Sequence, residues 1–230
     1  MKKTAFVIYG LCALMLLPSC GTTNMNNTTK GGIIGGGSGA AVGAVIGGIV
    51  GGKHKGKSAA IGAVIGAAVG TGAGVVIGKK MDKKAAEAAR IEGAQVEQVT
   101  DQNGLPAVKV SFAAGILFGF NSAALSNEAK SSLRDLAKIL RDDTTTDIAI
   151  IGHTDKVGTY EANVKVSKNR AYSVENYLQE CGVSPAQFKE VKGVAYDQYD
   201  ETKTADQNRR VEVYMYASEQ MINEASQSAN

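Results

Sequence analysis

Three groups of polar residues in the C-terminal half of the chain could together bind a small charged molecule. They are Gly152–Asp155, the stretch from Asn163 to Arg170, and Asn208–Glu212, and each falls near a predicted strand end or helix start. An arginine binds a carboxylate through two parallel hydrogen bonds, and an aspartate pairs with an ammonium group. Asn163 and Arg170 are seven residues apart, so they share one face of a helix. These residue types at these positions predict a pocket for a small zwitterion.

The same residues do not form a pattern typical of a catalytic or metal centre. The two histidines, His54 and His153, lie in different parts of the chain, and no cluster has the spacing of zinc ligands. There is no nucleophile elbow and no phosphate-binding glycine loop in a strand–turn–helix context. Cys181 has no partner visible in the sequence. We therefore predict a protein that is not an enzyme and that has no cofactor and no bound metal.

The net charge of +3 is the sum of two opposite halves. Through Glu92 there are eleven Lys and Arg against three acidic residues, which gives +8. From Gly93 onward there are fourteen against nineteen, which gives −5. A nucleic-acid-binding protein carries a basic face on its folded domain, so this distribution argues against that class.

Residues 1–20 have the features of a lipoprotein signal peptide. Lys2 and Lys3 precede an apolar run that is too short for a membrane span, and Leu17–Cys20 resembles a lipobox. Cys20 is then the lipidated residue, carrying acyl chains such as palmitate. The alternative is an ordinary secretory signal with an incidental cysteine. Cys12 is removed with the signal peptide, which leaves Cys181 as the one free thiol and permits no intramolecular disulfide.

Residues 31–78 contain glycine at every fourth position in two runs, joined by a lysine-rich turn at 53–57. Each glycine costs a helix about 1 kcal/mol relative to alanine, so such helices need close packing, above all in lipid. Each run is about 20 residues and therefore about 30 Å long as a helix, the thickness of a bilayer core. We predict a membrane-associated helical hairpin. A flexible linker is the alternative, although linkers are usually rich in Ser and not in Val and Ile.

The remaining segments predict one folded α+β domain with a polar tether and a charged linker before it. Residues 21–30 are the tether, 79–92 a solvated helical linker, 93–220 the domain and 221–230 a polar tail. Asp101–Gly104 is a turn signal that predicts a hairpin. The order β-α-β-α-β predicts two helices on a mixed sheet. Its elements are strands at 107–112, 147–151, 188–194 and 210–217, a helix capped by Ser126, and a helix at 160–180.

From about residue 105 to 217, the chain resembles the OmpA-like family. Four ordered motifs carry the resemblance: Phe118–Ala123, Gly152–Asp155 with Gly158, the helix motif of Tyr160, Asn163, Ser167, Arg170 and Ala171, and Asn208–Glu212. The glycine-rich segment resembles the glycine zippers found ahead of such domains. Two features depart from the family pattern. Gly119 stands where aspartate is common, and the 193–208 loop is short and lacks the usual proline and Gly-Arg elements, which bears on the outer wall of the pocket.

The resemblance implies a periplasmic module that binds the peptide stem of peptidoglycan through diaminopimelate. It assigns the ligand's ammonium group to Asp155 and its carboxylate to Arg170. It places Asn121, Thr154, Asn163 and Arg209 around the same site. We expect His153 to be structural, with its ring bonded near Asp155 or to a backbone group.

The chain is therefore expected to be an outer-membrane lipoprotein that anchors the cell envelope non-covalently to peptidoglycan, with its domain in the periplasm. Gly21 follows Cys20, so the position carries no acidic retention residue, which favours the outer membrane by analogy. The alternative is a membrane-inserting glycine-zipper lipoprotein whose main role is homo-oligomerisation or scaffolding. A cell-wall enzyme ranks below both.

Overall fold

A computed structural model describes residues 72–101, 104–119 and 122–228. The predicted signal peptide, tether and most of the glycine-rich segment lie outside these residues, as do Cys20 and Asn121. Among the described helices, none is long and apolar enough to cross a bilayer. The elements in chain order are α1 (Gly72–Ala88), β1 (Ala94–Thr100), β2 (Pro106–Ala113), α2 (Ala114–Leu117), α3 (Asn127–Arg141), β3 (Thr146–Gly152), α4 (Tyr160–Glu180), a 3₁₀ turn (Pro185–Gln187), β4 (Phe188–Gly193), α5 (Ala205–Asn208), β5 (Arg210–Ala217) and α6 (Glu219–Ser228).

The five strands form one mixed sheet in the order β1-β2-β5-β3-β4. β3 and β4 are parallel and are joined through α4, whereas the other neighbours are antiparallel. The predicted α+β class with helices on a mixed sheet is confirmed. The predicted hairpin also forms, because β1 pairs with β2 across a turn in which Gly104 has a φ of 77°.

The two long helices begin at capping residues that the sequence offers. Ser126 accepts a hydrogen bond from the amide of Ala129 at the start of α3, and Thr159 does the same for Ala162 at the start of α4. Their apolar residues recur every three or four positions, which places Leu133, Leu136 and Leu140 of α3 on one buried face.

The main core lies between the sheet and the helices. Strand residues alternate between the two faces of the sheet, so Val108, Val110 and Phe112 of β2 point toward the helices. The buried apolar residues of α1, α3, α4 and α6 belong to this one cluster. All four helices therefore cover the same face of the sheet.

The bounds and burial of the first helix differ from the prediction. The sequence predicted that the glycine-rich hairpin ends at residue 78 and that residues 79–92 form a solvated linker. α1 runs continuously across that boundary and packs against the domain, with Ala73, Ile77, Met81 and Ala88 buried. Lys84 is also buried, and its ammonium lies 3.4 Å from the carboxylate of Asp143. The last seven residues of the predicted hairpin are thus part of the folded domain, because their apolar side chains complete its core.

The C-terminal residues also differ from the predicted polar tail. Residues 219–228 form α6, and Met221, Ile222 and Ala225 are buried in the main core. The positions of these three residues place them on one helical face, so the domain extends past residue 220.

Candidate ligand-binding site

The predicted site residues meet where β3 ends and β5 begins. The amide of His153 donates to the carbonyl of Arg210 over 2.9 Å, and the amide of Thr154 donates to the carbonyl of Ala195 over 2.9 Å. These bonds fix the segment after β3 between the start of β5 and the loop after β4. Asp155 and Arg209, distant in sequence, become neighbours as a result.

Asp155 is a buried carboxylate that is already paired. One of its oxygens accepts a hydrogen bond from the amide of Val157 over 3.0 Å, and the other forms an ion pair with Arg209. Arg209 also pairs with Asp206 at the protein surface. Asp155 therefore presents a fixed negative charge beside a partly exposed guanidinium.

Arg170 extends from α4 toward the same region and is buried except for 7% of its surface. Its Nε donates to the carbonyl of Ser122 over 3.1 Å, and its guanidinium lies over the ring of Phe118, 5.2 Å from the centroid. Burial lowers the pKa of Arg170, the nearby charge of Arg209 lowers it further, and Asp155 opposes both. Within the described residues, Nε makes the one hydrogen bond of this side chain, so no described residue accepts a hydrogen bond from its two terminal nitrogens.

Asn163 shapes the loop that holds Asp155. Its side-chain nitrogen, Nδ2, donates to the carbonyls of Val157 over 2.9 Å and Thr159 over 3.1 Å. Gly158 has a φ of 92°, a conformation that favours glycine, and completes this turn. With its amide hydrogens used in this way, Asn163 can offer a ligand its carbonyl oxygen.

Thr154 contributes a buried hydroxyl. Among the described residues, its Oγ1 has no hydrogen-bond partner. A buried polar group without a partner is unfavourable by about 1–3 kcal/mol, and a polar ligand beside Asp155 would relieve this penalty.

Two glycines bring α4 close enough to the sheet for Arg170 to reach the site. A methyl group at Gly152 would lie 2.1 Å from the carbonyl oxygen of Ser167, and one at Gly193 would lie 2.1 Å from the amide of Lys168. The Ser167 hydroxyl donates to the carbonyl of Asn163 over 2.8 Å and accepts from the amide of Ala195 over 3.1 Å. Ser167 thus links the helix to the loop that follows β4.

The loop after β4 forms a structured wall although it lacks the proline and Gly-Arg elements expected there. The fully buried Asn208 accepts from the amide of Asp200 over 2.8 Å and donates to the carbonyls of Asp200 and Thr204, each over 3.0 Å. At its outer side, the Tyr160 hydroxyl donates to Asp197 over 2.9 Å. These side-chain bonds hold the loop without the missing elements.

The prediction that the His153 ring bonds near Asp155 or to a backbone group is wrong, because its partner is Glu212. The ring is buried, and its Nε2 lies 3.1 Å from the carboxylate of Glu212, which also accepts from Arg210 and Tyr214 over 2.7 Å each. Burial lowers the pKa of His153, so the imidazole is neutral and donates to Glu212. His153 thereby anchors the strand end that precedes Thr154 and Asp155.

The structure thus brings most of the predicted site residues together in different roles. Asp155 and Arg209 are paired, Arg170 lies within electrostatic range of both, Thr154 precedes Asp155, and Asn163 supports the turn. Asn121 lies outside the described residues. Site reasoning from the sequence missed Phe118, Ser122 and Asn208 as contributors, although all three lie in the motifs quoted above.

Comparison with known proteins gives matches over both halves of the chain. The OmpA family model matches residues 117–212, and the YMGG-like Gly-zipper model matches residues 1–82. The chain is 34% identical over 132 residues to outer membrane protein A of Bordetella avium, covering 55% of this chain and 68% of that protein. It is 36% identical over 126 residues to the peptidoglycan-associated lipoprotein of Pseudomonas aeruginosa, covering 53% of this chain and 70% of that protein.

A solved structure supports the fold alone. A MotB-like protein from Desulfovibrio vulgaris superposes with a TM-score of 0.52 at 22% identity, covering 61% of this chain and 90% of that chain. Together with the relatives and the four motifs around the cleft, this places the chain in the OmpA family, with a YMGG-like Gly-zipper segment ahead of the domain.

Proposed function

We propose that the domain binds peptidoglycan non-covalently in the cleft of Asp155, Arg170 and Arg209, and that it does so without catalysis. The observation that carries the proposal is the juxtaposition of a buried carboxylate with two guanidinium groups. No described residue accepts a hydrogen bond from the terminal nitrogens of Arg170. The cleft therefore presents Asp155 to a cationic group and Arg170 to an anionic group, with Arg209 beside both.

The free end of diaminopimelate in a peptide stem matches these charges. It carries an ammonium group and a carboxylate on one carbon. The ammonium group would form an ion pair with the Asp155 carboxylate. The ligand's carboxylate would accept two parallel hydrogen bonds from Arg170. Arg209, already beside Asp155, would contact the same carboxylate. The Thr154 hydroxyl and the Asn163 carbonyl would supply the neutral hydrogen-bonding groups around it.

The relative in Pseudomonas aeruginosa supports this ligand class, because its name describes association with peptidoglycan. The same relative is named a lipoprotein, which supports a lipid on Cys20 here. The anchored chain would then lie on the outer membrane with its domain in the periplasm.

The test is sedimentation of the unlipidated chain, residues 21–230, with purified diaminopimelate-containing peptidoglycan. The chain should sediment, whereas Asp155→Asn and Arg170→Ala should remain in solution. Arg134→Ala is the matched control, because Arg134 is an exposed arginine whose side-chain nitrogen lies 3.3 Å from the Tyr177 hydroxyl, away from the cleft. Thermal unfolding of each variant separates lost binding from lost folding.

A second comparison varies the ligand. A soluble stem peptide with lysine in place of diaminopimelate keeps the ammonium and lacks the carboxylate. It should bind at least about tenfold more weakly, since Arg170 would be left without its charged partner. Equal binding of both peptides, or binding by Arg170→Ala, would overturn the assignment of the carboxylate to Arg170.

The match of residues 1–82 to the Gly-zipper model favours a second role, membrane association or oligomerisation by the glycine-rich segment. Deleting residues 31–71 leaves α1 intact and distinguishes the two roles. Loss of membrane association with retained peptidoglycan sedimentation would assign them to separate parts of the chain. Loss of peptidoglycan sedimentation in a folded deletion variant would contradict a cleft that acts alone.

A further inference from the structure

The outer margin of the cleft carries an aromatic surface that the proposed stem-peptide site does not use. It is built from two segments, the turn between β3 and α4 and the loop after β4. In the first segment, Val157 is 78% exposed and Tyr160 is 41% exposed. Exposed apolar side chains at the margin of a binding site are a candidate extension of that site. We call this surface the aromatic rim and define it by Val157, Tyr160, Tyr196 and Tyr199.

Hydrogen bonds join the aromatic rim to the cleft. The amide of Val157 donates to the Asp155 carboxylate over 3.0 Å. The loop after β4 is joined to the same segment, because the amide of Thr154 donates over 2.9 Å to the carbonyl of Ala195, the residue before Tyr196. Val157 is two residues from Asp155, so their backbones are at most about 7 Å apart. A ligand that occupies the cleft can therefore reach the rim.

Tyr160 is exposed and nevertheless fixed in place. It is the first residue of α4, directly after the cap Thr159. Its hydroxyl donates to Asp197 over 2.9 Å, and its ring packs edge to face with Tyr196 at a centroid distance of 5.4 Å and an interplanar angle of 78°. A fixed aromatic ring loses little conformational entropy when a ligand packs against it. Tyr160 therefore presents a preorganised apolar surface beside the cleft.

The backbone before Tyr196 is held in an unusual conformation. Ala195 has a φ of 48°, in the left-handed region that alanine adopts only where the surrounding structure imposes it. The Ser167 hydroxyl accepts from the amide of Ala195 over 3.1 Å, and the amide of Thr154 donates to its carbonyl. The same groups that shape the cleft therefore also set the position of Tyr196.

The charges around the aromatic rim favour an uncharged ligand. Lys156 lies over the Tyr199 ring, 4.6 Å from its centroid, and forms an ion pair with Glu201. In the part of the chain that the structure describes, Asp197 forms no ion pair and accepts from the Tyr160 hydroxyl. A carboxylate without a cationic partner repels an anionic ligand, such as a lipid phosphate or a nucleic acid. The same carboxylate can accept a hydrogen bond from a neutral hydroxyl group.

A sugar ring combines the chemical groups that this surface can bind. One face of a pyranose carries C–H groups, which pack on the electron-rich face of an aromatic ring, and its edge carries hydroxyl groups. The glycan strand of peptidoglycan is uncharged where a stem peptide is attached, because the lactyl carboxyl group forms the amide bond to the stem. Tyr160 can therefore contact the C–H face while Asp197 accepts from a hydroxyl.

We propose that the aromatic rim binds a sugar ring of the glycan strand to which the stem peptide is attached. This inference rests on the proposed binding of the stem peptide in the adjacent cleft. Diaminopimelate is the third residue of the stem, so the sugar lies about 10 Å from it when the stem is extended. That distance matches a rim that begins two residues from Asp155. Tyr160 and Tyr196 thereby make the domain prefer stems that are attached to glycan over free stems.

The test compares two soluble ligands by isothermal titration of the unlipidated chain, residues 21–230. One is the disaccharide tripeptide and the other is the free tripeptide, both ending in diaminopimelate. The parent chain should bind the disaccharide tripeptide at least about fivefold more tightly, whereas Tyr160→Leu should bind the two ligands equally. Tyr160→Phe keeps the ring and loses the bond to Asp197, so it should retain most of the preference. Tyr172→Leu is the matched control, because Tyr172 is 39% exposed on the opposite face of α4.

The outcomes separate this inference from the proposed function. Equal binding of the two ligands by the parent chain would overturn the aromatic rim as a sugar site and leave stem-peptide binding intact. A preference that Tyr160→Leu retains, or that Tyr160→Phe loses completely, would overturn the role of the ring. Failure of the tripeptide to bind would contradict the proposed function. Chitotetraose, which has no stem, then tests the rim alone: the amide resonances of Val157, Tyr160 and Tyr196 should shift at millimolar sugar, and unchanged resonances would overturn the inference.

Discussion

Glu212 carries a buried negative charge that three side chains stabilise. Burial raises the pKa of this carboxyl group, but the hydrogen bonds from His153 and Tyr214 and the charge of Arg210 outweigh it, so the pKa of Glu212 lies well below its usual value. A carboxyl group with a lowered pKa stabilises the fold above its unfolded pKa of about 4.3, and this contribution is lost as the pH falls through the folded value. The His153–Glu212 pair therefore stabilises the strand ends at neutral pH.

Replacing Glu212 with glutamine should lower the free energy of unfolding by about 3 kcal/mol at pH 7, because the largely shielded Arg210 would lose its charged partner. Urea unfolding at pH 7 and pH 4 measures this, and the difference from the parent chain should shrink at the lower pH. Glu201→Gln is the control, since Glu201 is exposed and pairs with Lys156 at the surface. An equal loss in both variants would contradict the role of the buried network.

The pKa of Asp147 is shifted upward, in the direction opposite to that of Glu212. It lies on β3 beside Tyr216, and burial raises its pKa to about 6, with Lys189 opposing the shift. A carboxyl group with a raised pKa is unfavourable when ionised, so it lowers stability at pH 7 and ceases to do so as the pH falls below about 4. Asp147→Asn should therefore stabilise the chain by on the order of 2 kcal/mol at pH 7 and have little effect at pH 4. A melting temperature that falls equally at both pH values would show that the Lys189 pair dominates.

Single residues of the site were predictable from the family motifs, whereas their partners were not. Asp155 and Arg170 were named from sequence, and both lie in the cleft. The pairing of Asp155 with Arg209 spans 54 positions, and the bond of His153 to Glu212 spans 59. Such contacts depend on which strands become neighbours in the sheet, and local residue patterns carry no information about that.

At the scale of elements, the contact between α4 and the sheet depends on the absence of two side chains. Gly152→Ala should lower the free energy of unfolding by about 2–3 kcal/mol, since its methyl group would collide with the backbone of Ser167. Gly115→Ala is the matched control, because a methyl group there meets nothing within 4 Å. Urea unfolding and peptidoglycan sedimentation together should show Gly152→Ala impaired in both. Unimpaired binding by a folded Gly152→Ala chain would mean that the site tolerates a displaced helix.

Elements with strong periodicity were predicted from the sequence almost to the residue. α4 at Tyr160–Glu180 and β5 at Arg210–Ala217 have the predicted bounds. The polar tail prediction missed α6, because its three buried apolar residues stand among Ser, Gln, Asn and Glu. The extent of α1 was missed because its glycines follow the period of the preceding repeat while its apolar residues complete the domain core.

At the scale of the whole molecule, the glycine repeat and the domain share α1. A second membrane helix beginning after the lysine-rich turn would have 14 residues, 58–71, before α1 begins. Those residues reach about 21 Å as a helix, less than the roughly 30 Å of a bilayer core. A second span of full bilayer thickness would therefore need residues 72–78, which belong to α1 and pack against the domain, whereas the rest of the predicted hairpin lies outside the described residues.

The contribution of α1 to the domain can be measured within the helix itself. Ile77 is fully buried, whereas Val75, two residues earlier, is 54% exposed. Ile77→Ala should lower the free energy of unfolding by about 3 kcal/mol, and Val75→Ala should change it by less than about 0.5 kcal/mol. Similar values for the two would mean that α1 contributes little to the core.

Removing α1 altogether should have a larger effect. A chain of residues 93–230 lacks Ile77, Met81 and Ala88, which leaves the facing side chains of α6 and β2 exposed to water. Each fully buried aliphatic side chain contributes about 1.5–3 kcal/mol, and domains of this size have only about 5–15 kcal/mol in total. We expect this chain to unfold at much lower urea than residues 72–230 and to show poorly dispersed amide resonances. Equal unfolding midpoints would mean that the domain begins at β1 and that α1 only rests against it.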